Sequence, residues 1–279
     1  MITKTNFTLK GADDKLILGD ITSDNDLKNT PVILFAHGFK GYKDWGAHHL
    51  VANYFAENGY RYLKFNFSHS GVPAEDPRDL TDLAAFGENT FSKELFDLKQ
   101  VIDFIAQTCG HEAEINLIGH SRGGGLSIIT AANDDRISKL ITWSAISDFK
   151  NLWKAEQEAQ WEKDGVMYIT NSRTKAQMPL NITLLRDYQE NKAYLNIVDA
   201  AKRIKVPWFI VNGTNDQSVT VENAKKLHLA NPKSNLEIVQ NADHVYGASQ
   251  PYLEENLPPD LQEVCEKCLV FLREINRLA

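Results

Sequence analysis

Short apolar runs of strand length alternate with longer amphipathic stretches of helix length along most of the chain. Residues 3–9 and 15–22 read as two half-buried strands joined by a turn at 11–14. Residues 32–36, VILFA, are apolar throughout, as expected of a strand covered on both faces. Residues 47–58 carry helical spacing and stop at Gly59, a natural helix terminator. A strand at 62–67 is followed by a polar loop from Ser68 to about Asn89. In 91–107, Phe91, Leu95, Leu98, Ile102 and Ile105 recur every three or four positions and predict a helix. A buried strand at 115–118, a helix at 124–132 and a strand at 140–144 continue the alternation.

The rhythm breaks from about Phe149 to Arg203, a polar stretch dotted with Trp153, Trp161, Tyr168, Tyr188 and Tyr194. It resumes with a strand at 208–212, a helix at 221–229, a strand at 236–239 and a closing helix at 260–278. Alternating strands and helices predict an α/β fold, a mostly parallel doubly wound sheet covered on both faces. Residues 1–148 and 204–279 are expected to form its core as a single structural domain. Residues 149–203 are expected to form a small cap insertion over one end of the sheet. A structureless loop of about 55 residues is uncommon in a compact domain.

Composition narrows the classes. The 279 residues are 43% hydrophobic and 24% charged, enough for one large core in an ordinary globular protein. Lys and Arg total 30 against 37 Asp and Glu, a formal charge of −7 with no basic run, which argues against a dedicated nucleic-acid binder. No apolar stretch approaches the roughly 18 residues of a membrane span. MITKTNFTLKGADDK offers no apolar run for a secretory signal, so a cytoplasmic location is expected, although a mature secreted form would read the same way. Cys109, Cys265 and Cys268 are too few for a disulfide scaffold. The CEKC segment lacks a second Cys or His pair for zinc and falls within the closing helix, so no metal site is expected.

The chemistry concentrates at Gly119-His120-Ser121-Arg122-Gly123, a G-x-S-x-G between a buried strand and a helix. A sharp strand-to-helix turn would expose the Ser121 hydroxyl at the end of the sheet, and the two glycines would remove clashes around it. The helix N-terminus would then face any oxyanion formed there. An ordinary N-cap serine in a glycine-rich turn is the bland alternative.

A serine hydroxyl needs a base, usually a histidine oriented by a carboxylate. Among eight histidines, His244 follows the strand at 236–239, at the end of the sheet where active groups collect. His48 and His49 open a helix and are expected to be exposed. His37 is a rival base in the wrong chain order. Asp216, after the strand at 208–212, is the first candidate carboxylate, with Asp148 and Asp243 as competitors. The oxyanion donors are expected to be the Arg122 and Phe39 backbone N–H groups, with His37 bracing the HGFKG loop.

Four segments, HGF (37–39), GHSRGG (119–124), GTND (213–216) and DH (243–244), together resemble the α/β-hydrolase fold superfamily over nearly the whole chain. HGF with GHSxGG looks most like the small bacterial carboxylesterases that include cinnamoyl and feruloyl esterases. The resemblance implies a serine esterase acting on a small-molecule ester through an acyl-enzyme, with no metal or organic cofactor. Arg122 stands where that group more often has Gln or Met, which leaves the substrate open. Amide, peptide or C–C bond hydrolysis on the same triad is the alternative, as is a non-catalytic binding member of the fold. A homodimer is compatible with the sequence, which does not itself define the oligomeric state. Trp153, Trp161, Tyr168 and Tyr188 either wall the pocket or pack the cap. Lys40, Arg122 and Arg173 either favour an anionic substrate or are solvated charges.

Overall fold

The computed structural model describes residues 1–24, 30–77 and 79–274. β1 (Ile2–Lys10) and β2 (Leu16–Asp24) pair as an antiparallel hairpin, with Ile2 opposite Asp24 and Lys10 opposite Leu16. The alternation proper starts with β3 (Val32–Ala36), α1 (His48–Glu57), β4 (Arg61–Asn66), the short α2 (Leu83–Gly87) and α3 (Phe91–Cys109). β5 (Ile115–His120), α4 (Arg122–Ala131) and β6 (Ile137–Trp143) follow. The eight-stranded sheet has the order β1-β2-β4-β3-β5-β6, continued by β9 (Trp208–Gly213) and β10 (Asn235–Val239). β2 meets β4 antiparallel, and every pairing from β4 to β10 is parallel.

The two-residue period of the central strands sorts their side chains into two cores, one on each face. Val32, Leu34 and Ala36 of β3 and Leu117 of β5 join one core, formed with Leu98, Val101 and Ile102 of α3 and Leu126 and Ile129 of α4. Ile33, Phe35 and Ile118 point the other way, onto Val51 and Phe55 of α1 and onto α9 (Pro259–Arg273). The last residues expected in that closing helix, 275–278, lie outside the described residues. Cys265 and Cys268 are free thiols on the buried face of α9, and Cys268 Sγ accepts a hydrogen bond from Trp143 Nε1 at 3.3 Å. Burial pushes both thiols above their ordinary range. Among the described residues no helix is long and apolar enough to cross a membrane.

The stretch without a legible period holds two 3-10 turns (Phe149–Leu152 and Ala155–Gln157), α5 (Glu158–Asp164), β7 (Val166–Thr170), β8 (Gln177–Asn181), α6 (Ile182–Glu190) and α7 (Ile197–Arg203). β7 and β8 form their own antiparallel hairpin apart from the main sheet. α7, the last helix of the connection from β6 to β9, packs on α4 and on α8 (Val221–Ala230). The hairpin leans against α2 through β8.

Candidate active site

One residue separates β5 from α4, and it is Ser121. Its φ of 55° and ψ of −117° are costly for a residue with a side chain and persist only where the surroundings hold them. They do so here. The Ser121 N–H donates to the Trp143 carbonyl at 2.9 Å, and its own carbonyl accepts from Gly124 at 3.0 Å and Ile146 at 3.2 Å. The flanking glycines are sterically required. A Cβ on Gly119 would lie 2.3 Å from Ser127 Oγ and 2.5 Å from the Gly123 carbonyl oxygen. A Cβ on Gly123 would lie 2.4 Å from the carbonyl oxygens of Ala36 and His37.

β9 and β10 end beside each other, and their loops bring Asp216 to His244. His244 Nδ1 lies 2.8 Å from Asp216 Oδ2. Asp216 Oδ1 accepts from the N–H groups of Ser218 (2.9 Å) and Val219 (2.8 Å), which fixes the buried carboxylate. Burial works to raise its pKa, but the hydrogen bond and charge of His244, together with the Val219 N–H, hold it below the usual range. An ionised acceptor at Nδ1 keeps the proton on that nitrogen and leaves Nε2 with its lone pair. The two rival carboxylates are engaged elsewhere. Asp148 caps the 3-10 turn at Lys150, and Asp243 accepts from the Val245 and Gly247 N–H groups.

Ser121 and His244 border the same cavity of about 490 Å³, together with the loop after β3, His48, His120 and the tip of the β7–β8 hairpin. Among the described residues the Ser121 hydroxyl makes no hydrogen bond.

Phe39 follows β3 in a turn closed by Gly41 N–H to the Gly38 carbonyl at 3.0 Å. The Phe39 N–H makes no hydrogen bond among the described residues, and the Arg122 N–H is one of the first-turn donors that a helix leaves without an internal acceptor. The Arg122 side chain, however, does not enter the cavity, so it is not one of the cations available to an anionic substrate. It is 4% exposed, paired to Glu94 Oε1 at 2.5 Å, and its guanidinium lies 4.4 Å from the centre of the Phe39 ring. Phe86 stacks on the same ring at 5.7 Å. Burial pushes the Glu94 carboxyl up while the Arg122 charge opposes that rise. The segment after Phe39 is held by a second buried cluster. Asp20 pairs with Lys43 at 2.6 Å and Lys64 at 3.0 Å, and both lysines also bond Asp44.

Three histidines around the site are neutral. His37 is buried, its Nδ1 2.9 Å from the Gly38 carbonyl, and burial pushes its pKa down to about 4. His48 departs from the expected exposed position: its ring packs 4.6 Å from Phe35 and 6.2 Å from Trp45, and burial pushes it down to about 3. Its neighbour His49 is exposed. His120 has no role in the motif as read from sequence. Its Nε2 donates to the His244 carbonyl at 2.9 Å, and burial pushes it down to about 3.

Trp153, Trp161, Tyr168 and Tyr188 do not border the cavity. Trp153 is buried with the rings of Trp161 and Tyr188 each 5.6 Å from its own, and Trp153 and Tyr188 both meet Phe91 of α3. Tyr168 on β7 is 60% exposed. Contact with Phe91 at the start of α3 draws Trp153 and Tyr188 into the core, away from the pocket. Glu94 and His120 were not legible as site residues, because nothing in the local pattern pairs position 94 with 122 or 120 with 244.

Residues 31–167 match the family model described as alpha/beta hydrolase fold. The quorum-quenching protein AidA of Acinetobacter baumannii is 30% identical over 120 residues, which cover 43% of this chain and 36% of that protein. This chain thus spans about a third of that relative's length in the match. Est1E from Butyrivibrio proteoclasticus, solved with ferulic acid bound, superposes with a TM-score of 0.70 at 18% identity, covering 95% of this chain and 97% of that one. The esterase domain of a Rhodothermus marinus protein superposes with a TM-score of 0.66 at 18% identity, covering 98% of both chains. The fold is α/β, with an eight-stranded, mostly parallel mixed sheet. The chain has the α/β-hydrolase fold, and its structural neighbours include bacterial esterases.

Proposed function

We propose that this protein is a serine hydrolase that cleaves carboxylic esters of small molecules. The observation that carries the proposal is the Asp216–His244 pair, joined at 2.8 Å and bordering the same cavity as the strained Ser121. Ser121 Oγ attacks the ester carbonyl carbon as its proton passes to His244 Nε2. Asp216 orients the imidazole and stabilises its protonated form. The Phe39 and Arg122 N–H groups receive the oxyanion. The C–O bond to the alcohol then breaks, and His244 protonates the departing alkoxide. Water repeats the sequence on the acyl-enzyme and releases the acid. The esterase neighbours, and the ferulic acid bound to Est1E, support a small-molecule ester as substrate.

The test is covalent. A fluorophosphonate should label Ser121, read by mass spectrometry, and the adduct should vanish in Ser121→Ala. Asp216→Asn should lower kcat on short-chain aryl esters by about 10⁴-fold with the fold intact. A folded protein that takes no label and turns over no aryl ester would refute the hydrolase assignment.

A further inference from the structure

The cavity has a charge pattern opposite to that of the chain. The protein carries a formal charge of −7, yet no aspartate or glutamate is among the described residues that border the cavity. Two cations do border it, Lys40 and Arg173. The surrounding basic residues are neutralised: Lys43 and Lys64 by Asp20 and Asp44, Arg122 by Glu94, and Arg173 by Asp79 at 2.5 Å. Lys40 differs from all of them in having no carboxylate partner among the described residues. It sits beside Phe39, with φ at 58° in the tight turn that follows β3, and its Nζ lies 5.8 Å from the centre of the Phe39 ring. Burial lowers its pKa. A partly desolvated ammonium without a counter-ion is unfavourable, and an anionic ligand removes that penalty. The rest of the wall is mixed, with apolar Leu80, Ile146 and Val219 and the amides of Asn151 and Gln250.

We propose that the cavity takes esters whose acyl part is an apolar stem ending in a free carboxylate, with Lys40 as the counter-ion of that carboxylate. The proposal rests on the esterase reading and adds the substrate class to it. The stem lies along the apolar wall, the ester carbonyl reaches Ser121, and the carboxylate lies toward the loop after β3. Lys40 thereby sets specificity and takes no part in bond breaking.

Two matched ligand pairs test it. The first is p-nitrophenyl hydrogen suberate and its methyl-capped twin. Wild type should show kcat/KM about tenfold higher for the acid ester, the scale of one charge-assisted hydrogen bond. Lys40→Gln should bring that ratio close to one, and Lys40→Arg should keep most of it, with thermal unfolding confirming that both variants fold. A wild-type ratio of one or below, or a ratio that Lys40→Gln leaves in place, would overturn the proposal. The second pair is monomethyl and dimethyl suberate, bound to Ser121→Ala and followed by calorimetry. About tenfold tighter binding of the monoacid is expected, lost on adding Lys40→Gln. If neither nitrophenyl ester is cleaved but the monoacid still binds tighter, the esterase reading fails and the anionic ligand class stands. If the esters are cleaved and the two suberates bind alike, the class fails and the esterase reading stands.

Discussion

Arg122 occupies two positions at once, with its N–H in the first turn of α4 beside Ser121 and its guanidinium pressed on the Phe39 ring from within the core. Among the described residues its charge is matched by Glu94 alone. Glu94→Gln leaves a buried guanidinium uncompensated and should destabilise the protein by about 3–5 kcal/mol, measured by denaturant unfolding. Glu94→Leu combined with Arg122→Met removes both charges and should recover most of that loss. Stability and catalysis should then separate. Phe39 keeps Phe86 and the more distant Lys40 but loses the Arg122 guanidinium at 4.4 Å, so kcat should stay about tenfold below wild type, a fraction of the roughly 10²–10³ lost when an oxyanion donor is removed outright. Trp161 is the opposite kind of residue. At 1% exposure it packs on Trp153, which in turn stacks on Phe91 of α3. Trp161→Ala should cost about 3–5 kcal/mol in unfolding experiments and leave relative ester preference unchanged.

At the scale of elements, the turn between β5 and α4 depends on what the glycines lack. Gly123→Ala places a methyl 2.4 Å from two backbone carbonyl oxygens of β3 and its following loop. Backbone cannot yield as a flexible side chain does, so a loss of about 1–3 kcal/mol or more is expected, with slower fluorophosphonate labelling as Ser121 shifts. These glycines were legible in the sequence for the same reason that VILFA was: local sterics or continuous burial dictates the residue type. The Asp216–His244 pair was legible because strand ends in a parallel sheet converge on one edge. Residues 149–203 were not. Their hairpin is short, Trp153 and Tyr188 are anchored by ring contacts with Phe91 of α3, and α7 spans only seven residues. Such elements take their stability from tertiary contacts that leave no period in the chain. The aromatic residues there were visible, but which surface they cover depends on a fold that the local pattern does not encode.

Across the whole molecule, four histidines shielded from water contribute to the response to acid. His37, His48, His69 and His120 are pushed by burial from an ordinary 6.5 to about 4, 3, 4 and 3. Above about pH 6.5 the folded and unfolded chains both hold them uncharged, so they contribute no pH dependence. As pH falls below that, the unfolded chain takes up protons that the folded one refuses until about pH 4 to 3. Stability should therefore fall from pH 7 toward pH 4, seen as a falling Tm in calorimetry. His48→Gln should flatten that slope even if it lowers Tm at neutral pH, and an unchanged slope would remove His48 from the account.

The neutrality of His120 has a consequence for ionic strength. The bond from its imidazole to the His244 carbonyl ties together two turns that lie 124 residues apart in the chain, and neither partner carries a charge. Asp216 is wholly buried, out of reach of a screening atmosphere. Added salt should then leave the alignment of the Ser121 and His244 turns untouched, while it weakens the half-exposed attraction proposed between Lys40 and an incoming anion. A salt titration would separate the assembly of the site from the selection of what enters it.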